Sequence, residues 1–315
     1  MKRIRIAITM GDPAGIGPEI ISKSLKSLKH LKSAHFIVFG SRELFRLRGL
    51  KESKSISLVD VGRLWRSFTP GMLSKEAGHF SFKSLKEAVL LLKRGGADCL
   101  VTGPISKEAV RLAGFCWPGH TEYLADFFGS KEVEMVFVAQ KLKTVLVTRH
   151  LALNEAIRCV KKKRIVLCGK LVYKLLTDAF KISDPKIAIC GLNPHAGESG
   201  LFGQEEKKEI EPALKSLNRV FGHHFFGPFA ADTLFCRASQ GEFDLVMAMY
   251  HDQGLIPFKM IAFETGVNLT AGLPFIRTSP AHGTAFDIAG KNKAKHCSMR
   301  QAILLAYELS KKNVK

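Results

Sequence analysis

DLVMAMYHDQG, residues Asp244 to Gly254, carries an uninterrupted apolar run, Leu245 to Tyr250, that stops at a histidine followed by turn residues. A short continuous apolar run bounded by turn signals reads as a strand buried on both faces, the kind found in parallel sheets covered by helices. Two other stretches share this form: KTVLVTRH ends at His150 and KIAICGLNPH ends at His195. In an open α/β sheet, ligands sit outside the carboxyl ends of the strands, so His150, His195 and His251 are placed to share one crevice. Three imidazoles with no cysteine among them suit a catalytic divalent ion that keeps an open coordination position. Taken singly, each histidine reads equally well as a loop residue. Their shared placement favours ligands.

Outward from these stretches, compact apolar runs predict strands at Ile4–Thr9, Phe36–Phe39, Cys99–Thr102, Met135–Ala139, Thr144–Val147, Ile187–Cys190, Leu245–Met249 and Val267–Thr270. Helical spacing marks Pro18–Leu28, Ser81–Lys93, Ile165–Phe180 and Ser298–Leu309. Strands alternating with helices predict an α/β protein with a mixed, mostly parallel sheet covered on both faces. At 315 residues and 46% hydrophobic, the chain fits one large or two medium domains with a sizeable core. The turn-rich stretches Gly114–Gly119 and Ala271–Pro280 are the candidate boundaries.

No apolar stretch reaches membrane-spanning length, and MKRIRIAIT runs straight into a glycine turn without a signal-peptide pattern, so a cytoplasmic protein with no membrane partner is expected. Seven cysteines, an odd number without CxxC spacing, argue neither for a disulfide framework nor for a thiolate metal site. The net charge of +20 raises the question of nucleic acid. The lysines are spread over several polar faces, and the one dense block, Lys161 to Arg164, has no interleaved aromatics to stack bases. The charge reads as a solvated basic surface that steers anionic substrates, with no nucleic-acid partner.

Two loops invite ligands. GDPAGIGPE (Gly11 to Glu19) joins the first strand to a helix, with glycines that permit close backbone approach, although no GxGxxG fingerprint occurs in the chain. PGHTEYL (Pro118 to Leu124) reads as a helix start, suited to a phosphate or carboxylate, or simply as a helix capped by Thr121.

Together these motifs resemble one family. GDPAGIGPE, VTGPISK (Val101 to Lys107), PGHTEYLA, GLNPHAGESGLFGQEE (Gly191 to Glu206), AADTLF (Ala230 to Phe235), MYHDQGLIPFK (Met249 to Lys259) and GVNLTAGLPFIRTSPAHGTAFDIAG (Gly266 to Gly290) resemble the signature blocks of the 4-hydroxythreonine-4-phosphate dehydrogenases. The resemblance implies a two-lobed α/β/α fold similar to the isocitrate and isopropylmalate dehydrogenases. One lobe would span 1–118 with 272–315 and the other 119–271, with the active site in the cleft between them. It further implies a homodimer with the active site near the interface, and a role in pyridoxine 5′-phosphate biosynthesis.

Residue by residue, the resemblance places a divalent ion (zinc, magnesium or cobalt), one per subunit, on His150, His195 and His251. It places substrate on His120, Thr121, Lys259, Asn268 and Arg277. HGTAFDIAG also resembles the nucleotide loop of isopropylmalate dehydrogenases, which assigns NAD or NADP to Gly283, Thr284 and Asp287, with Gly11 and Asp12 in the N-terminal loop. Lys259 and Asp252 are the catalytic candidates, and Asp232 and His120 are also open as the general base. The chain departs from the family pattern at Arg149, at Ser106 and in the LAL that follows His150. The implied reaction is oxidation of 4-(phosphooxy)-L-threonine to a 3-oxo acid that decarboxylates to 3-amino-2-oxopropyl phosphate. A dehydrogenase of a related phosphoerythronate- or phosphothreonate-type acid is the main alternative. A non-redox metallohydrolase would also use three histidines but would leave HGTAFDIAG without a purpose.

Overall fold

The computed structural model describes residues 3–62 and 69–313. The chain forms two compact units, Met1–Lys131 with Leu273–Lys315, and Glu132–Gly272. In the first, β1 (Ile4–Thr9), α1 (Gly17–Ser27), β2 (Ala34–Gly40), α2 (Arg42–Leu47), β3 (Ile56–Asp60), α3 (Lys75–Lys93), β4 (Cys99–Thr102), α4 (Lys107–Leu112) and α5 (His120–Phe128) follow one another. The second holds β5 (Glu134–Ala139), β6 (Leu142–Leu146), α6 (Leu153–Cys159), α7 (Lys162–Lys174), β7 (Ile187–Cys190), α8 (Glu211–Phe221), β8 (Phe225–Phe229), α9 (Ala231–Ser239), β9 (Leu245–Ala248), α10 (His251–Ala262) and β10 (Val267–Ala271). The chain then returns to the first unit with β11 (Ile276–Pro280) and α11 (Cys297–Asn313).

Sheet order in the first unit is β3-β2-β1-β4-β11, and every pairing is parallel. Ile6, Ala7 and Ile8 of β1 and Leu100 and Val101 of β4 are fully buried, as expected for strands covered on both faces. The second unit has the order β10-β5-β6-β9-β7-β8. Here β5 pairs antiparallel with β10 and with β6, the latter through a two-residue turn between Ala139 and Leu142, while β6, β9, β7 and β8 run parallel. Behind these strands, Leu234 and Phe235 of α9 and Leu255, Phe258 and Ala262 of α10 form one cluster with Leu146, Ala188, Cys190, Val246 and Ala248. Truncating Phe258, 1% exposed, to alanine would cost about 3–5 kcal/mol.

The expected α/β class with a mixed, mostly parallel sheet is what the protein has, but the first unit extends past the break expected near residue 118. Residues 119–131 belong to it because Tyr123 of α5 packs edge-on against Phe82 of α3 (5.5 Å) and Trp117 (4.9 Å), and Phe128 against Phe275 (4.7 Å). Each such aromatic pair adds about 0.5–1.5 kcal/mol beyond burial.

Candidate active site

In the second unit, the ends of three neighbouring parallel strands carry the three histidines: His150 follows β6, His251 opens α10 after β9, and His195 follows β7. Parallel neighbours lie about 4.8 Å apart, so these ends form one edge. The rings of His150 and His251 are 5.6 Å apart. Both line a pocket of about 340 Å³ with Thr148, Arg149, Leu151, Leu153, Ala156, Tyr250 and Asp252. His195 is not among its lining residues, and among the described residues no three His, Cys, Asp or Glu side chains form a ready cation cage.

Local backbone at two of the histidines is unusual. His150 has φ +47°, and His195 begins a run of five residues, His195 to Ser199, all with φ between +41° and +80°. For a residue with a Cβ this left-handed conformation costs about 1–2 kcal/mol, so the surroundings must hold it. Around His150, Thr148 donates through both N (3.1 Å) and Oγ1 (2.7 Å) to Met249 O, which ties the ends of β6 and β9. Buried Glu134 pairs with Arg164 and with Arg149 Nε (3.9 Å), and Arg164 Nε donates to Val147 O (2.8 Å). His251 Nδ1 meets Asp252 Oδ1 at 2.6 Å, the carboxylate–histidine arrangement that leaves Nε2 for a metal. By donor chemistry this set suits a divalent ion: imidazoles, one already oriented by a carboxylate, on adjacent strand ends.

Lys259 and Asn268 also belong to this unit. Lys259 is exposed in the last turn of α10. Asn268 lies in β10, and among the described residues its buried Oδ1 has no hydrogen-bond partner, which leaves it an acceptor for a donor.

The first unit assembles His120, Thr121 and Arg277. Arg277 of β11 is 3% exposed and donates to Thr102 Oγ1 of β4 (2.6 Å) and Thr121 Oγ1 (3.5 Å), and it faces His120 Nδ1 (3.4 Å). Burial lowers the guanidinium to about 10, which leaves it charged at neutral pH. Burial, then Arg277 and Lys107, hold the His120 pKa well below the usual imidazole value. Thr121 is not the cap: Gly119 occupies that position and offers no side chain, so the first N–H groups of α5 keep their capacity for an anion. Thr102 and Lys107 had no role in the sequence reading, although both stand in the quoted VTGPISK block.

The two loops assigned to the cofactor meet in this unit. Ile16 N donates to Thr284 O (3.0 Å), and a Cβ on Gly15 would lie 2.9 Å from that oxygen. Gly11 and Asp12 turn inward. Gly11 has φ +73° and would push a Cβ within 2.3 Å of Pro104 O, while Asp12, 0% exposed, accepts from Ala14 N (2.8 Å) and donates its own N–H to Pro104 O (2.9 Å). They shape the loop. Burial pushes the Asp12 carboxyl up to about 6. Gly283 and Asp287 are exposed. Between them and β11, His282 Nδ1 donates to Gly283 O (3.0 Å), so its buried Nε2, which has no partner among the described residues, is an acceptor. Reading the sequence alone gave His282 no role.

A family model described as Pyridoxal phosphate biosynthetic protein PdxA matches residues 17–306. The chain belongs to the PdxA family. Similar proteins include a 4-hydroxythreonine-4-phosphate dehydrogenase of Sulfurihydrogenibium sp., 42% identical over 324 residues that cover 98% of this chain and 99% of the relative. A D-threonate 4-phosphate dehydrogenase of Cupriavidus necator is 42% identical over 324 residues, 97% of each. A crystal structure of 4-hydroxythreonine-4-phosphate dehydrogenase from Klebsiella pneumoniae superposes with a TM-score of 0.85 at 38% identity, covering 98% of both chains. Membership of the PdxA family makes the chain an oxidoreductase of pyridoxal phosphate biosynthesis. Among the described residues no helix is long and apolar enough to cross a membrane.

Proposed function

We propose that this chain oxidises 4-(phosphooxy)-L-threonine with NAD or NADP, giving a 3-oxo acid that loses carbon dioxide to form 3-amino-2-oxopropyl phosphate. The observation that carries this reading is the alignment of His150, His251 and His195 at the ends of adjacent parallel strands, which supports their proposed role as ligands of a divalent ion. When bound, the ion supplies Lewis acidity for the oxygen charge that develops as hydride leaves to the nicotinamide. Zinc, magnesium and cobalt all suit a site of three nitrogens completed by substrate oxygens.

The chain's own groups divide the rest. Arg277, His120, Thr121 and the open N–H groups of α5 grip the phosphate, an anion that needs several donors. Asn268 Oδ1 accepts from the substrate's polar substituent next to the reacting carbon. Asp252 orients His251, which leaves exposed Lys259 as the candidate to hold the carboxylate and move a proton. Gly283, Thr284 and Asp287 receive the cofactor, over a floor shaped by Gly11 and Asp12.

A second reading has support of its own: the D-threonate 4-phosphate dehydrogenase is as similar to this chain as the 4-hydroxythreonine-4-phosphate enzyme. The two acids differ at an amine or hydroxyl, and the Asn268 acceptor suits either. Purified protein offered each acid, with formation of reduced nicotinamide followed by absorbance, decides between them. Release of phosphate without nicotinamide reduction from either acid would overturn both readings in favour of a hydrolase.

The enzyme is further proposed to work as a homodimer. Ile256, Met260 and Phe263 stand at helical spacing on and just after α10 with 58%, 83% and 77% exposure, an apolar stripe that a second copy would cover. Light scattering should give a dimer that Met260→Glu weakens, and a monomeric wild type would refute the proposal.

A further inference from the structure

We infer that Glu206 and Gln253 are positioning residues that together set His195 against His251, and so govern divalent-ion affinity; the inference rests on the three-histidine reading proposed above. Glu206 is 3% exposed, at the start of a π-helical turn, Glu206–Ile210, that leads into α8. Its Oε1 accepts from Leu192 N and Asn193 N, both at 2.8 Å, and its Oε2 accepts from Asn193 Nδ2 at 2.9 Å. Gly197, inside the left-handed run, stands directly over that carboxylate: a Cβ there would lie 2.6 Å from Oε2. One buried carboxylate thus grips the backbone on the N-terminal side of His195 and closely packs the residue two positions after it.

Gln253 supplies the other half of the brace. Its Oε1 accepts from Met249 N (2.6 Å) and its Nε2 donates to Gly191 O (2.7 Å). A single carboxamide therefore joins the end of β9, which leads into His251, to the end of β7, which leads into His195. From Gly191 the connection passes through Leu192 and Asn193 to Glu206. A side chain present only to fill volume needs no such set of directed acceptors. Five consecutive left-handed residues do need one, because their conformation is not one the chain adopts unaided.

The experiment titrates Co2+ alone into metal-stripped full-length protein, with calorimetry and the visible d–d absorption of bound cobalt as readouts. Glu206→Gln keeps the volume but turns an amide donor towards Asn193 Nδ2, so donor meets donor. It is expected to bind Co2+ about 10- to 100-fold more weakly with an altered d–d spectrum, as is Gln253→Ala. Because both act on one connection, the double variant should lose less than the product of the two single losses. Wild-type affinity and spectrum in folded Glu206→Gln, alongside loss of binding in His195→Ala, would overturn the brace while leaving the metal reading in place. Unchanged binding in His195→Ala would overturn both. If Glu206→Gln does not fold, Gly197→Ala, which presses a methyl against Oε2, carries the same expectations, and normal Co2+ affinity in it overturns the inference.

Discussion

Arg277 Nη2 faces His120 Nδ1 across 3.4 Å, and because a guanidinium can only donate, the imidazole accepts on Nδ1 and carries its proton on Nε2. The pair therefore presents a charged fork and a neutral N–H donor side by side. Both are suited to a phosphate, and the fork's two donors cannot be copied by an ammonium.

Arg277→Lys should raise the KM for phosphorylated substrate by about 10- to 100-fold, the loss of a charged hydrogen bond worth about 1.5–3 kcal/mol, with a smaller change in the cofactor's KM. Measuring both enzymes on phosphorylated and unphosphorylated acid checks the assignment. If the mutant keeps the wild-type preference for the phosphorylated form, Arg277 does not read the phosphate.

Stripping divalent ions should abolish turnover, and zinc, magnesium or cobalt should restore it to different extents. His195→Ala should remove most bound metal, because two remaining imidazoles make an incomplete site. Elemental analysis of the purified variant beside its rate provides the test, and a fully active metal-free enzyme would contradict it.

Among the described residues, nothing beyond its two chain neighbours lies within 4 Å of where a Cβ on Gly283 would stand. Gly283→Leu should therefore leave stability within about 0.5 kcal/mol of wild type while raising the cofactor's KM about tenfold, by occupying the space proposed for the nicotinamide nucleotide. Gly15→Val should differ, since its side chain meets the Thr284 backbone and must shift the loop. It should lose both stability and cofactor affinity. Equal cofactor KM in all three proteins would place the nucleotide elsewhere.

Asp12 gives a pH prediction. Its folded-state pKa, about 6, lies above the unfolded value near 3.8 because burial disfavours the carboxylate. Between those values the folded chain holds the extra proton, so this group's contribution is present in full below pH 4 and is lost as pH rises through 6. The loss is on the order of 3 kcal/mol. Asp12→Asn, which keeps an acceptor for Ala14 N, should flatten that segment of the stability–pH curve. Denaturant unfolding at pH 4, 5, 6 and 7 is the measurement, and parallel curves for the two proteins would refute it.

What the sequence reveals follows its physics. Strands with continuous apolar runs, such as Ile187–Cys190 and Cys99–Thr102, are legible to the residue, because burial on both faces leaves no room for polar alternation. β11 escapes detection: IRTSP reads as polar, yet Arg277, Thr278 and Ser279 are buried, with Arg277 donating to Thr102 and Thr121 and Thr278 Oγ1 to Ala302 O. β8 contains a glycine and a proline and lies at the sheet edge, and α10 carries Gly254 and Pro257, which mask its helical spacing. The histidines are visible because each interrupts a hydrophobic pattern at a strand end. The partnership of Arg277 with His120, 157 residues away, and that of Gln253 with Gly191, 62 residues away, leave no local trace.

The path of the chain orders the protein's birth. The unit from Glu132 to Gly272 is continuous, so it leaves the ribosome complete while the first unit still lacks β11 and α11. Since β11 pairs with β4 and delivers Arg277 to Thr102, the N-terminal 131 residues wait with an open sheet edge until the last segment is made. The usual order in which amino-terminal domains fold first is therefore reversed, and the nascent chain carries the edge of β4 unpaired in the meantime. A stop between residue 272 and Ile276 would release the whole second unit attached to a first unit that lacks β11 and α11.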